Sequence, residues 1–194
     1  LLGREVMKAH TELIEARIKN KVVLVTGAGG SIGSELCRQI LTFGPSRLIA
    51  LDVSEAALFK IIAEIDGRCD NNGSAVTPVV GSVLDVGLIA SIFKEFNINT
   101  VYHSAAYKHV PLMEQNVIQV FKNNVLGTAI LTKYSKKFRV ESFTLISTDK
   151  AVNPTNVMGA SKRLAELLCL TSGDAETPTL FNVVRFGNVL GSSG

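Results

Sequence analysis

What this chain lacks narrows its reading first. No apolar run approaches the roughly 18 residues that a bilayer span needs, and no signal peptide heads the sequence. Its 194 residues hold three cysteines, Cys37, Cys69 and Cys169. No pair of them has metal-ligand spacing, and an odd number argues against a disulfide framework. Reduced structural thiols in a cytoplasmic compartment are expected, with no metal site. Excess charge is also small: the net charge is +3 and no dense Lys/Arg run is present, which argues against nucleic acid as a partner. No internal repeat or low-complexity tract appears. What remains is 46% hydrophobic and 19% charged, an ordinary balance for a globular α/β chain long enough for one full core. Leu1 in place of Met, and an end at Gly191-Ser192-Ser193-Gly194 just after an apparent strand, are expected of a piece of a longer protein.

Along the chain, strands and helices alternate. Residues 4–18 read as a short amphipathic helix in a linker covering 1–20, and residues 21–194 read as one domain. Val22–Val25 is a continuous apolar run, as a strand buried on both faces requires. A helix is expected over 31–43, ending at Gly44-Pro45, then a strand over 48–51. Ser54 N-caps a second helix, and Asp70–Gly73 reads as a loop. Strands are expected over 76–80, 100–103, 143–146 and 180–186. The helices between them are expected over 88–96, 114–137 and 155–170. Regular βα alternation with short loops predicts a parallel, doubly wound sheet of the Rossmann type.

Thr26-Gly27-Ala28-Gly29-Gly30-Ser31-Ile32-Gly33 follows the first strand and opens the first helix. In that context the glycines are a dinucleotide signal. Gly27 permits the tight turn, Gly30 lets backbone N–H groups approach a pyrophosphate, and Gly33 lets helix pack close to strand. The helix N-terminus then stabilises the phosphates. Asp52 ends the second strand, where a carboxylate accepts both ribose hydroxyls and repels a 2′-phosphate, favouring NAD over NADP. The plainer reading of Asp52 is a helix cap beside Ser54.

Ser147-Thr148-Asp149-Lys150 sets hydroxyl, carboxylate and ammonium together at an expected strand end, and Lys162 comes next on the following helix. Strand ends of an open α/β sheet are where ligands sit. An acid beside a potential base is what proton transfer needs. A solvated ion pair is the plainer reading of Asp149-Lys150. Neither His103 nor His109 pairs with an obvious nucleophile, so both are expected to be structural.

Further motifs narrow the reading. Ser104-Ala105-Ala106-Tyr107-Lys108-His109-Val110-Pro111, Asn124-Val125-Leu126-Gly127-Thr128, the run from Ser147 through Asn153-Pro154 to Lys162, and Arg185-Phe186-Gly187-Asn188-Val189-Leu190-Gly191 are the relevant segments. With the glycine loop they resemble the extended short-chain dehydrogenase/reductases, and within them the nucleotide-sugar 4,6-dehydratases of the polysaccharide-biosynthesis branch acting on UDP-N-acetylglucosamine. The resemblance covers nearly everything from Lys21 onward.

It implies a reaction without net redox change. Hydride leaves sugar C4 for NAD, a base removes the C5 proton while an acid helps the C6 hydroxyl leave, and hydride returns to C6. The implied catalytic set is Thr148 on the C4 oxygen, Asp149 as acid, Lys150 as C5 base, and Lys162 with Met158 beside them. The acid requires a raised Asp149 pKa, and burial near Lys162 would lower that of Lys150. The implied cofactor set is Thr26, Gly27, Gly30, Ser31, Ile32, Gly33, Asp52, Ser82, Val83, Ser104, Ala105, Ala106 and Lys162. Lys108, Asn124, Arg185 and Asn188 are implied for the UDP-sugar, Asn124 also as an organiser of the active-site helix.

The family pattern is broken in two places. Met158 occupies the position of a tyrosine base and cannot titrate. Ser82 replaces an adenine-binding aspartate, with Asp85 nearby but out of register. The resemblance also implies a homo-oligomer built on the helices at 114–137 and 155–170, a sugar-binding lobe beyond Gly194, and a membrane anchor in the full-length protein. A nucleotide-sugar epimerase and a non-catalytic nucleotide-binding module are the competing readings.

Overall fold

The computed structural model describes residues 10–67, 74–174, 176–189 and 191. The expected loop at Asp70–Gly73, and Cys69, lie outside them, as does the first part of the helix expected over 4–18. The chain runs α1 (Thr11–Ile18), β1 (Val22–Thr26), α2 (Ser31–Thr42), β2 (Arg47–Asp52), α3 (Glu55–Asp66), β3 (Ala75–Val80), α4 (Val86–Phe96) and β4 (Thr100–His103). It continues through α5 (Val110–Glu114), α6 (Val117–Phe121), a π-helical turn (Lys122–Leu126), α7 (Gly127–Lys137), β5 (Ser142–Thr148), a 3₁₀ turn (Asp149–Ala151), α8 (Val157–Thr171) and β6 (Leu180–Phe186).

The six strands are parallel, in the order β3-β2-β1-β4-β5-β6. That is the expected doubly wound sheet. Strand periodicity sorts its side chains into two layers. Val23, Val25, Leu48 and Ala50 face one side, where Cys37 and Ile40 of α2 and Leu58 and Ile61 of α3 complete a core. Leu24, Ile49, Leu51, Phe143 and Leu145 face the other, packed with Phe93 of α4, Leu131 of α7 and Cys169 of α8. Both cysteines are buried thiols whose ionisation burial pushes up to about 12, so both serve as small apolar fillers. Pro78 sits in β3, an edge strand, where its missing N–H costs no sheet hydrogen bond to a further neighbour.

The single long helix expected over 114–137 does not form. Gln115 and Asn116 interrupt it, Asn116 with non-helical φ −131° and ψ 47°. After α6 the chain widens into the π turn before α7. The wider turn brings Asn124 inward, 1% exposed. Such π turns collect at functional sites, and here the inserted side chain is the reason.

The order reverses between β1 and β4, so their C-terminal ends diverge into a crevice. α1 lies at the opposite end: Arg17 carbonyl accepts from the hydroxyl of Thr100, the first residue of β4.

Candidate active site

Among the described residues two cavities open over the C-terminal ends of the strands, and a third, about 460 Å³, lies to one side between the loop after β4 and α5. The smaller of the strand-end pair, about 200 Å³, lies over β1, β2 and β3 and is lined by Gly27, Gly30, Asp52, Ser82, Val83, Ser104, Ala105 and Ala106. These residues come from four loops and belong to the expected cofactor set; Leu51, Val53, Gly81, Leu84, Tyr107, Gln119 and Asn123, which were not in that set, complete the lining. Gly27 has φ +67°, and a Cβ there would stand 2.7 Å from Ala105 N. A Cβ on Gly33 would stand 1.9 Å from Gly27 O, so this glycine sets how closely α2 approaches β1. A Cβ on Gly30 would meet only Gly27 O, at 3.3 Å, which leaves its other side free for a ligand. Gly30 caps α2 without a side-chain hydrogen bond, so the first N–H groups keep their partial positive charge for an anion.

Asp52 accepts from Gly29 N (2.8 Å) and from Ser54 N (2.8 Å), tying the glycine loop to the start of α3. The helix cap is Ser54 itself, whose hydroxyl accepts from Ala57 N. Each carboxylate oxygen of Asp52 keeps a further lone pair, and the residue lines the cavity. Ser82 accepts from Leu84 N, while Asp85 is occupied as the N-cap of α4. Thr26 is buried and lines neither cavity; its hydroxyl bonds His103 Nδ1 at 2.7 Å. It therefore shapes the loop from below. The Thr128 hydroxyl donates to Asn124 O, so His103 Nε2–H must donate to Thr128, and Nδ1 accepts from Thr26. Burial, then the nearby Lys162 charge, push His103 down to about 3, and the ring is a neutral structural strut.

The larger cavity, about 400 Å³, lies over β4, β5 and β6 and reaches Ile32 at the start of α2. It brings together Thr148, Lys150, Met158, Lys162, Lys108 and Asn188. Its lining carries three lysines and His109 but, among the described residues, no carboxylate. An anionic ligand suits such a wall.

The two lysines of the expected catalytic set are buried in the opposite order to expectation. Lys150, expected to be buried, has a side chain 36% exposed, and its Nζ donates to Asp149 Oδ1 (3.3 Å) and Asn188 Oδ1 (3.1 Å). Lys162 is the buried one, 5% exposed, donating to Ile146 O at 2.7 Å. Burial lowers its pKa to about 8, against the raising influence of Glu166.

Asp149 also departs from expectation. It is not among the cavity-lining residues and its side chain is 58% exposed, at the rim beside Thr148, Lys150 and Gly187. The Thr148 hydroxyl (2.9 Å) and the Lys150 ammonium hold its carboxyl below the usual range, where a raised value was expected. The reason is exposure: water and two donors favour the anion.

Two of the four residues expected to bind the sugar, Asn124 and Arg185, line neither cavity. Asn124 donates to Tyr107 O (3.0 Å) and Ser161 Oγ (2.9 Å) and accepts from Tyr107 N (2.8 Å). Fully buried, it is the organiser that ties the loop after β4 to α8. Arg185 lines neither cavity and makes two hydrogen bonds to Glu166. Lys108 and Asn188 do line the larger cavity. Met158 is 3% exposed, packed with Met113 and Val120.

Sequence reasoning missed three residues. A Cβ on Gly159 would stand 2.3 Å from Lys150 O, so α8 and the 3₁₀ turn need a glycine there to approach. Gly29 is similarly confined by Ala57. Glu166, wholly buried, lies one helical turn after Lys162, and that spacing was the available signal.

A profile of the polysaccharide biosynthesis protein family matches residues 23–194. The capsular polysaccharide biosynthesis protein CapD of Staphylococcus aureus is 46% identical over the whole chain, which spans 32% of that protein. A UDP-N-acetylglucosamine 4,6-dehydratase (inverting) of Campylobacter jejuni is 29% identical over 90% of the chain and 51% of its own length. A UDP-glucose 4-epimerase of Rickettsia bellii is 31% identical with the same coverage, 90% and 51%. Among solved structures, Pen from Bacillus thuringiensis superposes with a TM-score of 0.84 at 30% identity, covering 92% of this chain and 55% of its own. The chain thus spans about a third to about a half of these relatives. Among the described residues no helix is long and apolar enough to cross a membrane.

Proposed function

We propose, from the premise that this chain belongs to the polysaccharide biosynthesis protein family, that it is the cofactor-binding and catalytic part of an NAD-dependent UDP-N-acetylglucosamine 4,6-dehydratase. One observation carries the reading. The uncapped α2 N-terminus and Asp52 meet, across the β1/β4 crevice, a cavity holding Thr148, Lys150 and Lys162.

The residues of the smaller cavity fit a dinucleotide. Gly30 and the α2 N-terminus receive the pyrophosphate, and Asp52 receives the adenosine ribose and disfavours a 2′-phosphate. When bound, NAD supplies a hydride acceptor for C4 and the hydride returned to C6. Lys162 holds the ribose nearer the reaction, and Thr148 hydrogen-bonds the C4 oxygen. Lys108 and Asn188 face the sugar and its diphosphate.

Elimination needs Lys150 as amine and Asp149 as acid. The two share a contact of 3.3 Å, so one proton moved from Nζ to Oδ1 turns the ion pair into that state. Covering the rim with sugar favours the move, because both charges lose their hydration. Lys150 then takes the C5 proton and Asp149 gives its proton to the departing C6 oxygen.

The 4-epimerase reading requires neither step, and the exposed, ionised Asp149 favours it. Incubating the full-length protein with UDP-N-acetylglucosamine and following the sugar by NMR separates the two. A 6-deoxy methyl signal beside a 4-ketone supports dehydration; a C4-inverted sugar with its C6 hydroxyl intact overturns it. No turnover by wild type supports a nucleotide-binding module instead. The apolar side chains exposed on α6 (Ile118, Phe121) and α8 (Leu164, Leu167, Leu170) support a homo-oligomer, which sedimentation tests.

A further inference from the structure

Glu166 is a carboxylate with no exposed surface in a part of the molecule where the proposed chemistry gives it no task. Four donor contacts converge on it. Oε1 accepts from Ser147 Oγ (2.6 Å) and Arg185 Nε (2.7 Å). Oε2 accepts from Arg163 Nη1 (3.1 Å) and Arg185 Nη2 (2.5 Å). One side chain thus joins α8, β5 and β6 beneath the larger cavity.

One turn earlier on the same face of α8 is Lys162, whose Nζ bonds the carbonyl of Ile146. Successive turns of α8 are therefore pinned to successive residues of β5, Lys162 to Ile146 and Glu166 to Ser147. A slip of the helix by one residue would break both ties. The choice of carboxylate also matters. A glutamine has one acceptor oxygen and two N–H groups of its own, and cannot receive four donors. Buried charge is costly unless paired, and Glu166 lies within one helical turn of a second buried charge, the Lys162 ammonium.

We propose that Glu166 is a positioning residue for Lys162: it fixes the register of α8 on β5 and β6, and its negative charge keeps the buried lysine protonated at the cavity wall. This rests on the reading of Lys162 as a cofactor-holding residue. Other charged and titratable groups face Lys162. They are Cys169 on α8 itself, His103 from β4, Lys150 from the 3₁₀ turn, and Lys108 with His109 across the cavity. His103 is neutral and Cys169 is a thiol, so Glu166 is the one anion among these neighbours. In the same sense, burial drives Lys162 towards the amine and Glu166 opposes it.

The test reads Lys162 directly, in the full-length protein. Lysines labelled with ¹³C at Cε are titrated by NMR, and Lys162→Arg assigns the resonance. In Glu166→Gln the Lys162 midpoint falls by about one pH unit or more. A one-unit fall from about 8 halves the protonated fraction at neutral pH, so NAD affinity there falls about twofold, and Glu166→Asp restores most of the shift. In Arg163→Gln, which removes a half-exposed cation and leaves Glu166 in place, the midpoint moves the opposite way, upward. This second variant decides the matter should Glu166→Gln fail to fold. Unchanged midpoints in the folded variants, or lower thermal stability with an unaltered Lys162 titration, overturn the proposal and leave Glu166 a purely structural tie. Because the titration requires no turnover, failure of the dehydratase reading shows separately, as wild type that forms no keto sugar.

Discussion

The two cavities at the strand ends are built on different principles. The smaller is made of backbone: glycines at close approach, an uncapped helix start, one carboxylate holding two N–H groups. The larger is made of side chains from β5, β6, α8 and the loop after β4. Its properties depend on which lysine is covered. Lys162 is buried and its pKa is lowered to about 8, whereas Lys150, in the 3₁₀ turn that precedes α8, stays at the rim in an ion pair. Backbone sites are fixed by local sequence; side-chain sites are fixed by how far each element slides over the next.

Mutations can break this contrast, the largest effects falling on the larger cavity. Lys150→Ala is expected to lower dehydration by about 10²–10⁴-fold with NAD affinity unchanged, measured by product NMR and calorimetry. Wild-type turnover in that variant would remove Lys150 from the chemistry. Lys162 gives a stability effect with a definite sign. Its folded pKa, about 8, lies below the ordinary lysine value of 10.5, so the unfolded chain binds more protons between those limits. Stability from this group therefore rises with pH across that window, and the cost of burying the charge is fully present below it. Wild type should gain on the order of 3 kcal/mol over Lys162→Met between pH 7 and 11, read from urea midpoints.

Effects on the smaller cavity are expected to be sterically driven and smaller. Gly33→Ala forces a Cβ against Gly27 O and should cost about 1–3 kcal/mol in unfolding free energy, together with NAD binding. Asp52→Asn removes the negative charge and turns one acceptor oxygen, which receives Gly29 N or Ser54 N, into an N–H donor; it should weaken NAD about tenfold, narrowing its preference over NADP. The smallest effect is at His103. With a folded pKa of about 3, its ring should stay neutral at pH 5 in ¹⁵N spectra, and its contribution to stability is lost only as pH falls from about 6.5 towards 3. A midpoint near 6.5 would show that the Thr26–His103–Thr128 strut is open to water.

The same contrast explains what was legible in the sequence. Parallel strands announced themselves as apolar runs, and the glycine loop carried its own steric logic at Gly27, Gly30 and Gly33. Thr148, Lys150, Met158 and Lys162 were named from their motif, and they line one cavity. Their exposure was not legible. Lys162 is buried because α8 lays it against β5, where it bonds Ile146 O, and Asp149 keeps a low pKa because the Thr148 hydroxyl and Lys150 hold its exposed carboxylate. Arg185 reads as a ligand-facing guanidinium in the sequence, but Glu166, nineteen residues earlier, claims it in the fold. The break at Asn116 was hidden because Asn is compatible with both a helix interior and a turn, and the π turn has no composition of its own.

That π turn has a consequence for how this chain can be altered. It amounts to one extra residue wound into the path from α6 to α7. Deleting Lys122, Asn123, Val125 or Leu126 would let the turn close to ordinary α pitch with α7 kept in place, the residues left in the turn being rotated by up to about 100°. Asn124 would swing off Ser161 and Tyr107 while the sheet stayed whole, giving a folded protein with a dismantled reaction wall. Single-residue deletions scanned through this turn should therefore separate folding from chemistry more cleanly than any point substitution in it.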